Sequence, residues 1–157
     1  MKPIVIEDFF EEKTYNSIHY YTNTAQFTVE YHDEFKREYV HNNLFFVGIH
    51  QYLENVACEI FKTKVKPSYC FLSLYGNEGI VKEHTDRPPC KYTIDFCIDC
   101  DKEWDIFIDD TAYTSNLNNA ICYSGTDSKH YRNKIEGSFM KLILFHFVPI
   151  DYKGPLS

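Results

Sequence analysis

A histidine and an aspartate stand two residues apart in YGNEGIVKEHTDRPPC, the segment from Tyr75 to Cys90. Side chains at positions i and i+2 of a strand point to the same face, so His84 and Asp86 would present a nitrogen and a carboxylate oxygen to one point. A facial non-heme iron site uses two histidines and one carboxylate and leaves coordination positions open. The pair therefore predicts a divalent-metal site that needs one more histidine.

The missing ligand should come from well downstream. Of the seven histidines, two follow the pair, His130 and His146. His130 follows the turn SGTDSKH at the start of a strand, 46 residues after His84, which leaves room for several strands with their turns. His146 lies within the apolar run LILFHFV. We predict His130 as the third ligand and keep His146 as the alternative.

The elements that must position these residues change character along the chain. KPIVIEDFF indicates a strand and EEKTYNSIHYYTN a short helix, and apolar residues at helical spacing predict the main helix from Tyr39 to Lys62. From Lys66 onward, short strands alternate with turn residues. In KYTIDFCID one face carries Tyr92, Ile94, Phe96 and Ile98. We expect an α+β, mainly β fold: a jelly roll with the N-terminal helices packed outside.

Length and composition favour a single domain over 1–157, with the strand and helices in 1–65 and the β core in 66–150. The chain is 44% apolar and 17% aromatic, as expected of a globular protein. Its net charge of −7, from 16 basic and 23 acidic residues, argues against nucleic-acid binding. No signal-peptide pattern or membrane span is evident, so we expect a cytoplasmic protein whose six cysteines are free thiols. Its oligomeric state is not predicted.

The order of motifs resembles the iron(II)- and 2-oxoglutarate-dependent dioxygenases. The motifs are Tyr75 and a glycine before H-T-D-R, a tryptophan in the next hairpin, H-Y-R after Y-S-G, and a closing strand ending LFHFV. The resemblance covers Tyr69 to Val148 and is greatest to small members with an H-x-D-R start and an H-[WY]-R end. It implies a double-stranded β-helix fold and the cosubstrates 2-oxoglutarate and O2. It also assigns His84, Asp86 and His130 as iron ligands.

In that family, an arginine or lysine on the closing strand usually holds the distal carboxylate of 2-oxoglutarate through a charge-assisted bond. Lys141 is the only cation on the predicted closing strand, but it lies eleven residues after His130 and replaces the commoner arginine. Arg132 is the competitor, because its planar fork suits a carboxylate better. A phenol from Tyr69 or Tyr75 would add a hydrogen bond to the same cosubstrate.

The resemblance further implies hydroxylation or a related oxidation of a small molecule or of an amino-acid or peptide side chain. Asp86 supports hydroxylation, since halogenating relatives lack this carboxylate. Arg87, at the cavity rim, and Trp104 are candidate substrate residues. The segments Phe27–Val40 and Asp110–Asn119 are candidate lids.

Two alternative functions remain open: an inactive scaffold or interaction domain, and a binding protein without catalysis. A cupin-like protein could bind a metal or small molecule in the same barrel without turning over 2-oxoglutarate. Cys97 and Cys100 have the spacing of half a zinc knuckle, but no second cysteine or histidine pair follows. We therefore interpret Cys97 as a small buried hydrophobic residue.

Overall fold

The computed structural model describes all 157 residues. Its three helices are α1 (Glu12–Thr24), α2 (Leu44–Tyr52) and α3 (Glu54–Phe61), and a short 3₁₀ turn spans Pro88–Cys90. The strands are β1 (Ile4–Ile6), β2 (Glu30–His32), β3 (Arg37–His41), β4 (Val65–Gly76), β5 (Val81–His84), β6 (Tyr92–Cys100), β7 (Trp104–Ile108), β8 (Thr111–Ser115), β9 (Ala120–Tyr123), β10 (His130–Arg132) and β11 (Phe139–Pro149).

The strands form two antiparallel sheets. The larger has the order β1-β9-β6-β11-β4-β3-β2 and the smaller the order β5-β10-β7-β8. The long strands β4 and β11 pair along most of their length, from Phe139 opposite Gly76 to Pro149 opposite Val65. This is the jelly-roll arrangement with outer helices that the strand pattern predicts.

The larger sheet is packed on both faces. Its outer face packs against the helices in a core that includes Ile18, Phe46, Ala57, Ile94, Phe96, Phe145 and Phe147. Ile94, Phe96 and Ile98 of β6 lie together in this core, as the alternating pattern predicts. The inner face meets the smaller sheet through two smaller clusters, one around Trp104 and Met140 and one around Ile108 and Tyr123. The polar residues of the site line the space between the two sheets and come from both of them.

The predicted helix from Tyr39 to Lys62 is wrong in its first part. Tyr39 belongs to β3, which pairs with β4 from Arg37 opposite Tyr75 to His41 opposite Phe71. The chain then turns at Asn42, which has φ 49°, and the Asn43 side chain caps α2 by accepting from the Phe45 amide. Asparagine tolerates such left-handed backbone and favours helix N-caps, so these two residues separate the strand from the helix.

The two candidate lid segments are strands. Phe27–Val40 contains the hairpin of β2 and β3, whose Phe35 and Arg37 form part of a cavity wall. Asp110–Asn119 contains β8, an edge strand that pairs with β7. None of the three helices combines the length and apolar character that crossing a bilayer requires.

Candidate metal centre

The smaller sheet brings the three predicted ligands to one place. His130, at the start of β10, lies directly opposite His84, at the end of β5. Asp86 follows two residues after His84, and its amide donates to the Gly125 carbonyl at 2.9 Å. One ligand atom from each of His84, Asp86 and His130 lies within 4.8 Å of the other two. Strand pairing thus positions the histidines, and a backbone hydrogen bond fixes the loop that carries the aspartate.

Backbone carbonyls orient both imidazole rings. His84 Nδ1 lies 2.8 Å from the Lys82 carbonyl oxygen, and His130 Nδ1 lies 3.0 Å from that of Ser128. In the neutral rings these contacts place the proton on Nδ1 and leave the Nε2 lone pair free. Both Nε2 atoms face Asp86 Oδ1, at 3.4 Å from His84 and 3.6 Å from His130. Two lone pairs and a carboxylate oxygen therefore converge, as a divalent cation requires.

The electrostatics of the group favour a bound cation. Burial opposes ionisation of Asp86, but the facing rings of His130 and His84, when protonated, outweigh it and hold the pKa of the carboxyl well below its usual range. Burial likewise opposes charging of His84, yet the contacts with Asp86 and the Lys82 carbonyl together raise the pKa of its ring. The carboxylate is thus ionised and draws positive charge toward itself.

Behind these residues, an inner cavity of about 580 Å³, partly open to solvent, extends between the sheets. Arg132 lines this cavity, but its guanidinium already has protein partners. It donates to Asp95 Oδ2 at 2.8 Å, to Ser115 Oγ at 3.0 Å and to the Trp104 carbonyl at 3.0 Å. Arg132 and Asp95 thus form a buried, mutually neutralising ion pair.

Lys141 does not line the inner cavity. Its side chain lies on the helix-facing side of β11, where the ammonium donates to Asn23 Oδ1 of α1. The neighbours Leu142 and Leu144 line the cavity instead. The structure therefore does not support Lys141 as the partner of a cosubstrate carboxylate, because the alternation along the strand turns it away.

Arg37 of β3 is the cavity cation that the sequence did not single out. Its Nη1 donates to Tyr75 Oη at 2.9 Å and to Ser73 Oγ at 3.2 Å, and its guanidinium lies over the Phe71 ring at 4.7 Å. Its Nε is buried without a partner, and no carboxylate pairs with it. Alternation in REYVH would have placed Arg37, Tyr39 and His41 on one face, but that segment was predicted as part of a lid and a helix.

The remaining predicted residues divide between two places. Tyr69 and Tyr75 line the inner cavity, and Tyr69 Oη lies 3.0 Å from Cys90 Sγ. Arg87 lies outside it, in an outer groove that shares residues with the cavity, and its Nη2 donates to Tyr69 Oη at 3.3 Å. Trp104 does not line the cavity: it packs edge-on against Tyr75, and its indole N–H donates to the Asn133 carbonyl.

His146, the alternative third ligand, belongs to a different group. Asp86, Cys90 and His146 also place one ligand atom each within 4.8 Å of the others. The two groups share Asp86 alone. The aspartate therefore belongs to two sets of potential metal ligands, and Cys90 is the one member of the second set that was not a candidate from sequence.

No protein-family model matches the chain, and a comparison with curated proteins found no match. Solved structures are similar in fold. An oxidoreductase of the 2OG-Fe(II) oxygenase family from Burkholderia pseudomallei aligns with a TM-score of 0.75 at 9% identity, covering 93% of this chain and 85% of that one. HygX from Streptomyces hygroscopicus, with nickel, 2-oxoglutarate and hygromycin B bound, aligns with a TM-score of 0.73 at 7% identity, covering 96% and 84%.

A third structure matches nearly end to end. The viral collagen prolyl hydroxylase of Paramecium Bursaria Chlorella virus-1, as its 2OG complex, aligns with a TM-score of 0.71 at 8% identity, covering 96% of this chain and 97% of that one. The chain thus has the double-stranded β-helix fold of these oxygenases. Sequence identities this low establish the fold alone, so activity must be argued from the site.

Proposed function

We propose that this chain is an iron(II)- and 2-oxoglutarate-dependent oxygenase. The observation that carries the proposal is the convergence of His84, Asp86 and His130 at the inner cavity of this fold. Two imidazoles and one carboxylate form the donor set of non-heme iron(II) oxygenases. Iron(II), when bound there, would supply the redox chemistry that couples decarboxylation of 2-oxoglutarate by O2 to oxidation of a substrate.

The protein residues would hold the metal and keep its ligands correctly protonated. The carbonyls of Lys82 and Ser128 retain the Nδ1 protons of His84 and His130, so both Nε2 atoms remain available. Asp86 supplies the single negative charge. Its presence supports hydroxylation or a related oxidation, in line with the sequence resemblance.

We infer that Arg37, assisted by Tyr75 and Ser73, holds the distal carboxylate of 2-oxoglutarate. Arg37 is a half-buried cation without an acidic partner, and its orphaned Nε still lacks an acceptor. Arg132 is less suited, because Asp95 already neutralises it. A charge-assisted bond from Arg37 would be stronger than one between neutral groups.

The charges of the cavity agree with a doubly negative cosubstrate. With its imidazoles neutral, the cavity wall holds Asp86 and Asp95 against Arg37 and Arg132, so the fixed charges cancel. A bound divalent cation would leave the site with two positive charges. The 2-oxoglutarate dianion would restore neutrality, which favours binding of metal and cosubstrate together.

The outer groove is the proposed substrate site. It adjoins His84 and Asp86 and presents aromatic rings, including Tyr39 and Phe71, which stack with their centroids 4.8 Å apart. Arg87 lies along this groove without an acidic partner and would pair with a substrate carboxylate. The proposed substrate is a small molecule or an amino-acid or peptide side chain; among the similar structures, one holds hygromycin B and one is a collagen prolyl hydroxylase.

We also propose that residues 1–157 act as one domain, with 1–65 supporting the β core of 66–150. All six cysteines are free thiols, which supports a reducing compartment such as the cytoplasm. No nucleic-acid or membrane partner is proposed.

The function is tested by succinate formation from 2-oxoglutarate with iron(II), ascorbate and O2. We expect the wild type to form succinate slowly even without substrate, and Asp86→Ala to lose this activity. Arg87→Gln, which leaves the metal ligands and Arg37 intact, is the control that retains it. Metal binding without any affinity for 2-oxoglutarate would instead favour a cupin-like metal or small-molecule binding protein.

A further inference from the structure

We propose that Asp86, Cys90 and His146 form a second metal site, which takes a thiophilic divalent cation such as Zn²⁺ or Co²⁺. Their ligand atoms lie within 4.8 Å of one another. Zinc bonds to sulfur and nitrogen measure about 2.0–2.3 Å, so small side-chain rotations would bring all three atoms onto one ion. The existence of this site does not depend on the oxygenase activity.

The fold holds the cysteine and the histidine in place from separate elements. Cys90 ends the 3₁₀ turn, its amide donates to the Arg87 carbonyl at 2.9 Å, and Ser68 Oγ ties the turn to β4 by donating to the Pro89 carbonyl at 2.6 Å. His146 lies on β11, with Nδ1 3.0 Å from Thr93 Oγ1. A hydroxyl contact of this kind orients the ring and leaves the other nitrogen free for a metal.

The group is buried but can be reached from the cavity. Cys90 is 3% exposed and His146 4% exposed, yet both line the inner cavity together with Asp86. A cation that enters the cavity therefore meets both groups. In this buried setting an ion would keep few waters, which strengthens its bonds to the protein ligands.

The donor types separate the two sites chemically. His84, Asp86 and His130 offer only nitrogen and oxygen, whereas the second group adds a sulfur. Thiolate ligands select thiophilic metals and not Mg²⁺, Ca²⁺ or Mn²⁺. Because both groups need Asp86, a cation at the second site would compete for the carboxylate of the first, and Zn²⁺ would inhibit the proposed oxygenase.

The test is a titration of the reduced protein with Co²⁺, followed by absorption. A cobalt–thiolate bond gives a near-ultraviolet charge-transfer band that nitrogen and oxygen ligands do not give. We expect this band in the wild type, in Cys97→Ser, which removes a different buried thiol, and in the double variant His84→Ala/His130→Ala. We expect Cys90→Ser to lose the band and His146→Gln to bind Co²⁺ at least tenfold more weakly.

Absence of the band in the wild type, or a band unchanged in Cys90→Ser, would overturn the proposal. If Cys90→Ser does not fold, alkylation of the wild type tests the second site instead. Co²⁺ must protect the Cys90 thiol from alkylation, and equal labelling of the Cys90 peptide with and without Co²⁺ refutes the site. The double-histidine variant separates the two proposals. The cobalt–thiolate band in this double variant supports the second site, even if the wild type never turns over 2-oxoglutarate. If the wild type turns over 2-oxoglutarate but shows no cobalt–thiolate band, only the second site is refuted.

Discussion

At the level of single residues, Asp86 is the centre of the site. Both histidine Nε2 atoms of the proposed iron site face its Oδ1, and Cys90 and His146 form a second group around the same side chain. Burial would neutralise an isolated carboxyl, but its histidine neighbours keep it ionised. This one carboxylate is therefore common to both proposed metal sites.

Replacing Arg37 should weaken binding of 2-oxoglutarate. Arg37→Gln removes a charge-assisted contact worth about 1.5–3 kcal/mol, so we expect the Kd for 2-oxoglutarate to rise by about 10- to 150-fold. Calorimetric titration of the Mn²⁺-loaded protein under anaerobic conditions measures this Kd. Lys141→Gln is the matched control: its side chain contacts Asn23 on the opposite face, and the Kd should not change. A higher Kd for 2-oxoglutarate in Lys141→Gln, with an unchanged Kd in Arg37→Gln, would instead show that Lys141 binds the distal carboxylate.

Gly125 should be essential for the position of Asp86. A Cβ at this position would collide with Asp86 Oδ2 and lie 2.6 Å from the Cys90 carbonyl oxygen, so Gly125→Ala must displace the carboxylate or the backbone. We expect Mn²⁺ affinity to fall at least tenfold although every ligand remains. Electron paramagnetic resonance of free Mn²⁺ measures this loss.

Gly48→Ala is the control for this substitution. Gly48 lies inside α2, with nothing within 4 Å of an added Cβ. The alanine should raise the free energy of unfolding by about 0.5–1 kcal/mol through helix propensity and leave Mn²⁺ affinity unchanged. Equal Mn²⁺ affinity in Gly125→Ala and wild type would show that Asp86 is not confined by the loop.

At the level of elements, α2 is fastened to the sheet by a buried histidine. His50 Nε2 lies 2.8 Å from the His146 carbonyl oxygen, and burial lowers the pKa of His50 to about 3. Burial also lowers the pKa of His146 to about 4. Both rings therefore stay neutral in the folded chain at pH values where unfolded histidine, with a pKa of about 6.5, is already protonated.

This difference predicts loss of stability in acid. Above about pH 6.5 the two histidines are neutral in both the folded and the unfolded state, and their contribution to the free energy of unfolding is complete. As the pH falls toward 4, the histidines of the unfolded state bind protons, whereas those of the folded state stay neutral. Each such histidine should lower the free energy of unfolding by up to about 1.4 kcal/mol per pH unit in this window. Urea unfolding between pH 7 and 4 measures the slope, and His50→Gln should reduce it. An unchanged slope in the variant would mean that His50 is protonated in the folded state.

Elements whose residues keep one strand or helix spacing could be predicted from sequence. Elements at a change from strand to helix spacing could not. The i, i+2 spacing of His84 and Asp86 indicated a shared target, and the turn before His130 indicated a strand start, which the structure places opposite His84. The helix predicted from Tyr39 included the end of β3, although the apolar residues at helical spacing begin only at Leu44, after Asn42. Arg37 was missed with that strand, since its role depends on pairing with β4, a long-range contact without a local signal.

At the level of the whole molecule, the closing strand shows the limit of a family resemblance. The resemblance indicated the double-stranded β-helix, and structures at 7–9% identity share it. It also pointed to a cation on the closing strand, but β11 presents leucines and His146 to the cavity. A shared fold therefore indicates where a site lies, but it does not fix every residue that completes the site.

Metal and 2-oxoglutarate together should stabilise the whole chain, because both bind only the folded state. A ligand at about 100 times its Kd adds about 2.7 kcal/mol, and each kcal/mol corresponds to about 2–4 °C in a chain of this size, so we expect Tm to rise by about 5–11 °C. Differential scanning calorimetry with Mn²⁺ and 2-oxoglutarate measures this shift. His130→Ala should show a much smaller shift, and an equal one would place the binding elsewhere.

Crystals grown anaerobically with Mn²⁺ and 2-oxoglutarate test the central claim most directly, because anomalous scattering locates the metal. The predicted result is one manganese peak bonded to His84 Nε2, Asp86 and His130 Nε2, with 2-oxoglutarate chelating it and its distal carboxylate on Arg37. A loaded crystal with no manganese between these three side chains, or with 2-oxoglutarate bound away from Arg37 and the metal, would contradict the account.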